Sequence, residues 1–349
     1  MTSESPNRTE SVKNIEEFLK AEKIKYDAFL KEPKLLILGS SDSGKTTFLK
    51  QLRILYGQMF TMNELKEFKT QALKNILNTT EQLIVANGQE EKWNSLLTAI
   101  ALFDFTSDTC FTEQLRNIII GFWNDPSIQE IFQRDFNLYP CTINYFFENL
   151  NVIASKDYQL NNNDILLLRT VTKSVSDTIF EVQSTNNKPL RIHFYDVSGL
   201  KHHRKHWISY FEDVLSIIYI VAISSYDQMM IEDPTINRMM DAIDLFGYIV
   251  NHPLLKKPDV ICFFNKSDLF KKKIERIPIK NTFPDFEGQQ TTKDGLKYFR
   301  SKFINAVSNK SKTMTFHTTQ CTDTTAMKTI IVNLQSSIVK GSLTAGGYV

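Results

Sequence analysis

The segment Gly39 to Thr47, GSSDSGKTT, constrains this chain more than any other stretch of it. It matches G-x-x-x-x-G-K-[ST], and it lies between an apolar run, KLLIL (Lys34 to Leu38), and a helical pattern from Gly44 to Leu55. Strand, tight loop and helix in that order is the context in which such a match cradles phosphate rather than forming an ordinary Gly/Ser turn. The glycines let the backbone curl so that successive N–H groups face a β-phosphate. Lys45 brings a point charge to the β/γ oxygens, and the Thr46 hydroxyl can ligate Mg²⁺. Asp42, Ser43, Gly44, Lys45, Thr46 and Thr47 are therefore expected against a bound nucleotide.

Around that loop the hydrophobic pattern changes period twice. Between Gly57 and Asp164 strand signals nearly vanish, while Leu65, Phe68, Ala72 and Ile76 mark one helix face that stops at Asn87 and Gly88. Strand-like runs return at Thr178 to Val182, Leu190 to Val197, Ser216 to Ser224, Asp259 to Asn265 and Thr315 to Thr318. Alternation of this kind builds an α/β domain on a mainly parallel sheet, whose ligands bind at the carboxyl ends of the strands. The expected organisation is an N-terminal amphipathic helix in 1–32, an α/β domain in 33–57 and 166–349, and an inserted all-helical domain in 58–165. With 349 residues, 42% of them hydrophobic, the chain can bury the cores that two domains need.

Two further motifs end predicted strands. DVSG, Asp196 to Gly199, closes the run RIHFYDV. A carboxylate there can hold Mg²⁺ through a water while the Gly199 amide meets a γ-phosphate, so that GTP and GDP are distinguished locally. NKSD, Asn265 to Asp268, closes another apolar run. Asp268 can accept hydrogen bonds from the N1–H and 2-amino groups of guanine, a pattern adenine lacks, which disfavours an ATP-using enzyme. Asn265 and Lys266 join it as nucleotide-binding residues.

With these motifs in this order, the chain resembles heterotrimeric G protein α subunits, P-loop GTPases whose Ras-like domain carries an inserted helical domain. KHHRKHWISYFEDV (Lys201 to Val214), with Arg204 and Trp207, is similar to the family's second switch. NRM (Asn237 to Met239), NKSDLF (Asn265 to Phe270) and TQCT (Thr319 to Thr322, against the family's TCAT) match as well. The resemblance implies that Cys321 lies in the base-contacting loop and that DILLLRTVTKS (Asp164 to Ser174) is the first switch, with Leu168 and Arg169 against the nucleotide. Arg169 then falls on the in-cis arginine finger, Thr172 on the threonine completing the Mg²⁺ shell, and Asp42 on an acidic residue facing Arg169. It further implies a βγ dimer on the N-terminal helix, a seven-transmembrane receptor at the C-terminal tail, an effector at the second switch, and Arg204 and Asp241 paired to lock the GTP form.

The departures are local. The family's second switch begins Asp-Val-Gly-Gly-Gln, and here Ser198 and Leu200 replace a glycine and the water-orienting glutamine. Leucine has neither donor nor acceptor, so hydrolysis is expected to be slow while binding is spared. Two readings follow: a slow GTPase switch, or a GTP-loaded interaction platform without a useful hydrolytic cycle. His202, His203 and His206 are expected on a solvated helix face rather than at a metal. The formal net charge of +2, with basic residues spread rather than striped, argues against a nucleic-acid surface. Cys110, Cys141, Cys262 and Cys321 lie far apart and read as reduced thiols. Thr2 excludes the myristoylation pattern, no cysteine precedes Cys110 to take an N-terminal palmitoyl group, and the ending AGGYV is no prenylation box. The expected location is the cytoplasm, at the inner face of the plasma membrane through partners.

Overall fold

A computed structural model describes residues 15–20, 22–23, 32–105, 110–134, 139–170, 172, 175–183, 189–230 and 233–345. Most of the expected N-terminal helix, residues 346–349 of the C-terminal tail, and residues 171, 173 and 174 of the expected first switch lie outside them. Within the N-terminal stretch, 15–20 and 22–23 are helical, with Ile15, Phe18 and Leu19 exposed.

Six strands form one sheet: β1 (Lys34–Leu38), β2 (Ser176–Gln183), β3 (Pro189–Asp196), β4 (Val214–Ala222), β5 (Asp259–Asn265) and β6 (Met314–Thr318). Their order across the sheet is β2-β3-β1-β4-β5-β6, with β2 antiparallel to β3 and every other pair parallel. The central strands β1 and β4 are apolar apart from Lys34 and Ser216, because both faces are covered. In β1, Leu36 and Leu38 enter one core while Leu35 and Ile37 enter the other, and β4 divides the same way, with Ile217, Tyr219 and Val221 opposed to Ile218 and Ile220. One covering layer is built around α9 (Arg238–Val250), α10 (Ser267–Ile274) and α11 (Thr292–Asn305). The other is built around α1 (Lys45–Leu55) and α12 (Thr324–Ala345).

The helices between α1 and β2 close a third core of their own, drawn from residues 72–168. They are α2 (Met62–Asn87), α3 (Asn94–Ala101), α4 (Glu113–Trp123), α5 (Pro126–Arg134), α6 (Ile143–Glu148), α7 (Leu150–Ile153) and α8 (Asn162–Leu167). The long α2 is fixed at both ends by local chemistry. Thr61 and Glu64 form a reciprocal capping box, and Gly88 takes the left-handed conformation that ends the helix where the sequence places the stop. At the start of α8, Asn161 and Asp164 repeat the box, and the fully buried Asp164 also accepts hydrogen bonds from the hydroxyls of Tyr145 and Tyr158.

Expected and observed strand bounds agree to within two residues, and two differences bear on the site. The fourth strand ends at Ala222 rather than Ser224, because residues 223–225 wind into a single 3₁₀ turn. The segment Lys201–Tyr210 is a 3₁₀ helix, so the i, i+4 spacing of His202 and His206 does not bring them onto one line.

Candidate functional site

The parallel strands deliver their carboxyl ends to one edge of the sheet: Ile37 is level with Asp196, Leu38 with Tyr219, Ala222 with Asn265, and Phe264 with Thr318. The loops that leave those ends, together with α6, α8 and the segment after α8, enclose a cleft of about 280 Å³. Every residue the sequence assigns to nucleotide binding or catalysis lines it: Asp42, Ser43, Gly44, Lys45, Thr46, Thr47, Leu168, Arg169, Gly199, Leu200, Asn265, Lys266, Asp268 and Cys321. Thr172 lines it as well, and Asp196 lies behind it, buried.

The loop after β1 is shaped by backbone that other residues tolerate poorly. Gly44 has φ +104°, and a Cβ there would stand 2.1 Å from Asn265 Nδ2. That space is occupied for a reason: Asn265 Nδ2 donates to the Ser43 carbonyl at 2.8 Å, while Asn265 Oδ1 accepts the Cys321 N–H at 2.9 Å. Asn265 thus ties the phosphate-type loop, the end of β5 and the loop after β6 together. Cys321 contributes its backbone to this tie, and its buried thiol is pushed up to about 12 by desolvation. Ser43 Oγ is fully buried and has no protein partner, as a hydroxyl facing a ligand site does.

Lys45 donates to the carbonyls of Gly39 and Ser40 at 3.0 and 2.9 Å. Burial lowers its pKa to about 8 against the pull of Asp196, so the ammonium is held short of a full counter-charge. Gly199 closes over it: a Cβ at that position would meet Lys45 Nζ at 2.5 Å and the Ser40 carbonyl at 2.7 Å.

Beside Lys45 is a set of hard oxygen donors. Thr46 Oγ1 and Thr172 Oγ1 are 2.7 Å apart, and both donate to Asp196 Oδ2, at 3.2 and 3.4 Å. Asp196 Oδ1 is buried without a partner, and desolvation raises the carboxyl pKa in spite of Lys45 and the two threonines. One carboxylate with an unsatisfied oxygen and two hydroxyls suit Mg²⁺, which takes few protein ligands and completes its octahedron with water and phosphate oxygens. No cluster of three His, Cys, Asp or Glu occurs among the described residues, so a metal site built from such side chains alone is not present there.

Asp42 sits among three cations. Lys266 Nζ is 3.0 Å from its carboxylate, Arg238 Nη2 3.6 Å and Arg169 Nε 4.0 Å. Burial would push this carboxyl up, but the three positive charges overcome it and hold it well below the usual range. In return, Lys266 stays charged against its own desolvation, its pKa raised mainly by Asp42. The Asp42–Arg169 pairing expected from the sequence is present at long range, and it is shared.

Three features of the site were not anticipated from the sequence. Arg238 stands in the NRM segment, yet that match carries no role until the structure brings Arg238 Nη2 to the Ser41 carbonyl at 2.9 Å. Lys50, on α1, has its Nζ buried and donating to the carbonyls of Ile165 and Leu168 at 3.1 Å each, which anchors the end of α8 just before Arg169. A lysine among Phe48, Leu49 and Leu52, four residues after Thr46, was the available signal. His203, expected on a solvated face, is half-buried with Nδ1 2.8 Å from Ser198 Oγ; only His202 and His206 are exposed. That expectation is corrected for His203, because the 3₁₀ winding turns its ring back onto the start of the segment.

The segment Lys201–Tyr210, expected to be the second switch, is packed in this structure. Arg204 grips Asp241 through two bonds of 2.8 and 2.7 Å, and the buried Trp207 donates its indole N–H to the Ser198 carbonyl at 3.0 Å.

With this geometry in view, the similarities of the chain are specific. The family model described as G-protein alpha subunit matches residues 9–338. A guanine nucleotide-binding protein alpha-3 subunit of Caenorhabditis elegans is 35% identical over 324 residues, 90% of each chain. The alpha-3 subunit of Neurospora crassa is 33% identical over 327 residues, covering 91% of this chain and 90% of its own. An alpha-17 subunit of C. elegans is 32% identical over 347 residues, 96% of this chain and 95% of its own. Six strands with one antiparallel edge, a helical insert with its own core, a glycine-shaped loop meeting Lys45, and similarity running nearly end to end place this chain in the G-protein alpha subunit family.

Proposed function

We propose that this protein is a guanine-nucleotide switch that binds GTP and GDP with Mg²⁺ and hydrolyses GTP slowly, downstream of seven-transmembrane receptors. The observation that carries the reading is the convergence of Lys45, Thr46, Thr172, Asp196, Gly199, Asp268 and Arg169 on one cleft. Lys45 meets the β/γ-phosphates, the amides of Ser43 to Thr47 surround the β-phosphate, and Asp268 reads the guanine edge. Thr46 and Thr172 hold Mg²⁺ directly and Asp196 through a water; the ion, when bound, neutralises charge on the phosphates. Arg169 supplies positive charge to the transferring phosphoryl group, and Leu200 leaves the attacking water without the usual orienting amide.

The partners are those of the family: a βγ dimer at the N-terminal helix, a receptor at the C-terminal tail and an effector at the second switch, with recruitment to the inner face of the plasma membrane through them. No helix among the described residues is long and apolar enough to cross a membrane. A second reading, a GTP-loaded platform without a hydrolytic cycle, is favoured by Leu200 together with the Arg204–Asp241 clamp already formed.

Nucleotide exchange and single-turnover hydrolysis test both. Labelled GTP should be displaced by excess GDP and not by ATP, and Asp268→Asn should shift the preference toward xanthine nucleotides. Displacement by ATP would remove the guanine assignment. For hydrolysis, the known figure for family members with arginine and glutamine both in place is about 10⁻² s⁻¹, and loss of the glutamine scales it to about 10⁻⁴ s⁻¹. An undetectable rate would favour the platform.

A further inference from the structure

Hydrolysis of a terminal phosphate needs something to hold the attacking water, and the residue at the usual place, Leu200, offers nothing. The second-switch end of the cleft is lined by Ser198, Gly199 and Leu200, of which only Ser198 carries a side-chain oxygen. That oxygen is not free to wander. Ser198 is 3% exposed, its carbonyl is bound by the Trp207 indole N–H, and the next carbonyl, of Gly199, accepts from Arg204 Nε at 3.4 Å. Its hydroxyl is 2.8 Å from His203 Nδ1, and the His203 ring is itself packed edge-on against His202 at 4.1 Å. The Gly199 backbone immediately beside it presses against Lys45 and the Ser40 carbonyl, so this peptide stands at the phosphate end of the cleft.

We propose that Ser198 and His203 replace the missing amide: Ser198 Oγ holds the attacking water, and His203 is the positioning residue that fixes the hydroxyl and takes up its proton. This rests on the reading of the cleft as a GTP site. With His203 neutral and protonated on Nε2, the Ser198 hydroxyl donates to Nδ1, leaving its oxygen lone pairs to accept a hydrogen bond from the water. As the water oxygen bonds to the terminal phosphorus, the bond from phosphorus to the bridging oxygen breaks and its electron pair leaves on GDP. One water proton passes to Ser198 Oγ while the serine proton passes to His203 Nδ1; the other stays on the product phosphate. The half-buried His203 then returns its proton to solvent. Arg169 offsets the charge that accumulates meanwhile.

The test is single-turnover hydrolysis of preloaded GTP, with nucleotide affinity and Trp207 emission measured on the same samples. Ser198→Ala and His203→Phe should each lower the rate at least tenfold, with affinity within threefold and emission unchanged. His203→Asn, which retains an acceptor near the position of Nδ1, should recover part of the loss. The rate in D₂O should fall about twofold for the unaltered protein and less for Ser198→Ala. An unchanged or faster rate in Ser198→Ala overturns the relay, as does a rate loss accompanied by a changed Trp207 emission, which would make the pair a conformational latch. Tight GTP binding with no hydrolysis in the unaltered protein also overturns it and leaves the nucleotide site standing; absence of guanine-nucleotide binding would instead remove the reading on which it rests.

Discussion

Replacing Lys50 by Met should destabilise the protein hardly at all in mild acid and strongly in mild base. The side chain is 4% exposed, its Nζ donates to the Ile165 and Leu168 carbonyls, and it lies over the Phe68 ring at 5.0 Å from the centroid. Desolvation lowers its pKa from 10.5 to about 7. In the unfolded chain the group stays protonated to the higher value, so between these limits the unfolded state binds more protons and stability rises with pH. The full shift corresponds to at most about 5 kcal/mol, present as a cost below pH 7 and relieved progressively above it. Methionine removes that cost but leaves two buried carbonyls without donors, about 1–3 kcal/mol each. At pH 6 these nearly cancel. By pH 9.5 the unaltered protein has gained about 3 kcal/mol that the variant cannot gain, which for a chain of this size is a melting-temperature difference of about 4 °C. Thermal unfolding of the two proteins loaded with GDP and Mg²⁺, at pH 6, 7.5 and 9.5, reads the gap. A gap that is constant or narrows with pH refutes the assignment of Lys50 as a buried amine that bridges α1 to the end of α8.

Other perturbations have equally direct outcomes. Leu200→Gln should raise single-turnover hydrolysis ten- to a hundredfold, because a two-point amide holds the water more firmly than the single Ser198 hydroxyl, and no change would mean that Ser198 already holds it as well as an amide can. Trp207 is buried here with its N–H bonded to the Ser198 carbonyl, so its emission should rise when a GTP analogue replaces GDP, while Trp93 and Trp123 in the helical insert stay silent; Trp207→Phe should abolish the signal. Gly44→Ala should lower nucleotide affinity more than a hundredfold, because the added Cβ collides with Asn265 and the backbone there is left-handed; binding within tenfold of the unaltered protein would show that the loop can relax. Nucleotide affinity should also fall as pH rises above about 8, since Lys45 must be protonated to meet phosphate and burial lowers its pKa to about 8; equilibrium titration at pH 7, 8 and 9 checks the sign.

What the sequence determined by itself is whatever depends on short stretches of chain. The loop GSSDSGKTT needs its glycines within a few residues of each other, Thr61 and Glu64 cap a helix from three positions apart, and Gly88 ends it. The alternation of apolar runs and helical patterns suffices for a parallel sheet with a helical insert, because strand and helix periods are local properties. From these follows that the motif loops leave the carboxyl ends of strands, and with it the place of the cleft, while the order of the strands across the sheet came from the structure. Tertiary structure decided everything that joins residues distant in the chain. Asn265, read as a nucleotide-binding residue, turns out to bind Ser43 and Cys321 rather than leave its amide free. Asp42, expected opposite Arg169 alone, is shared among Arg169, Arg238 and Lys266. Lys50 reaches the end of α8 across more than a hundred residues. The histidines of the second switch look alike in sequence, and only the 3₁₀ winding of that segment sends His203 to Ser198 while leaving His202 and His206 in solvent. Hydrogen bonds and ion pairs are fixed by distances of about 3 Å, and a pattern along the chain carries no information at that scale until the sheet and the insert have folded against each other.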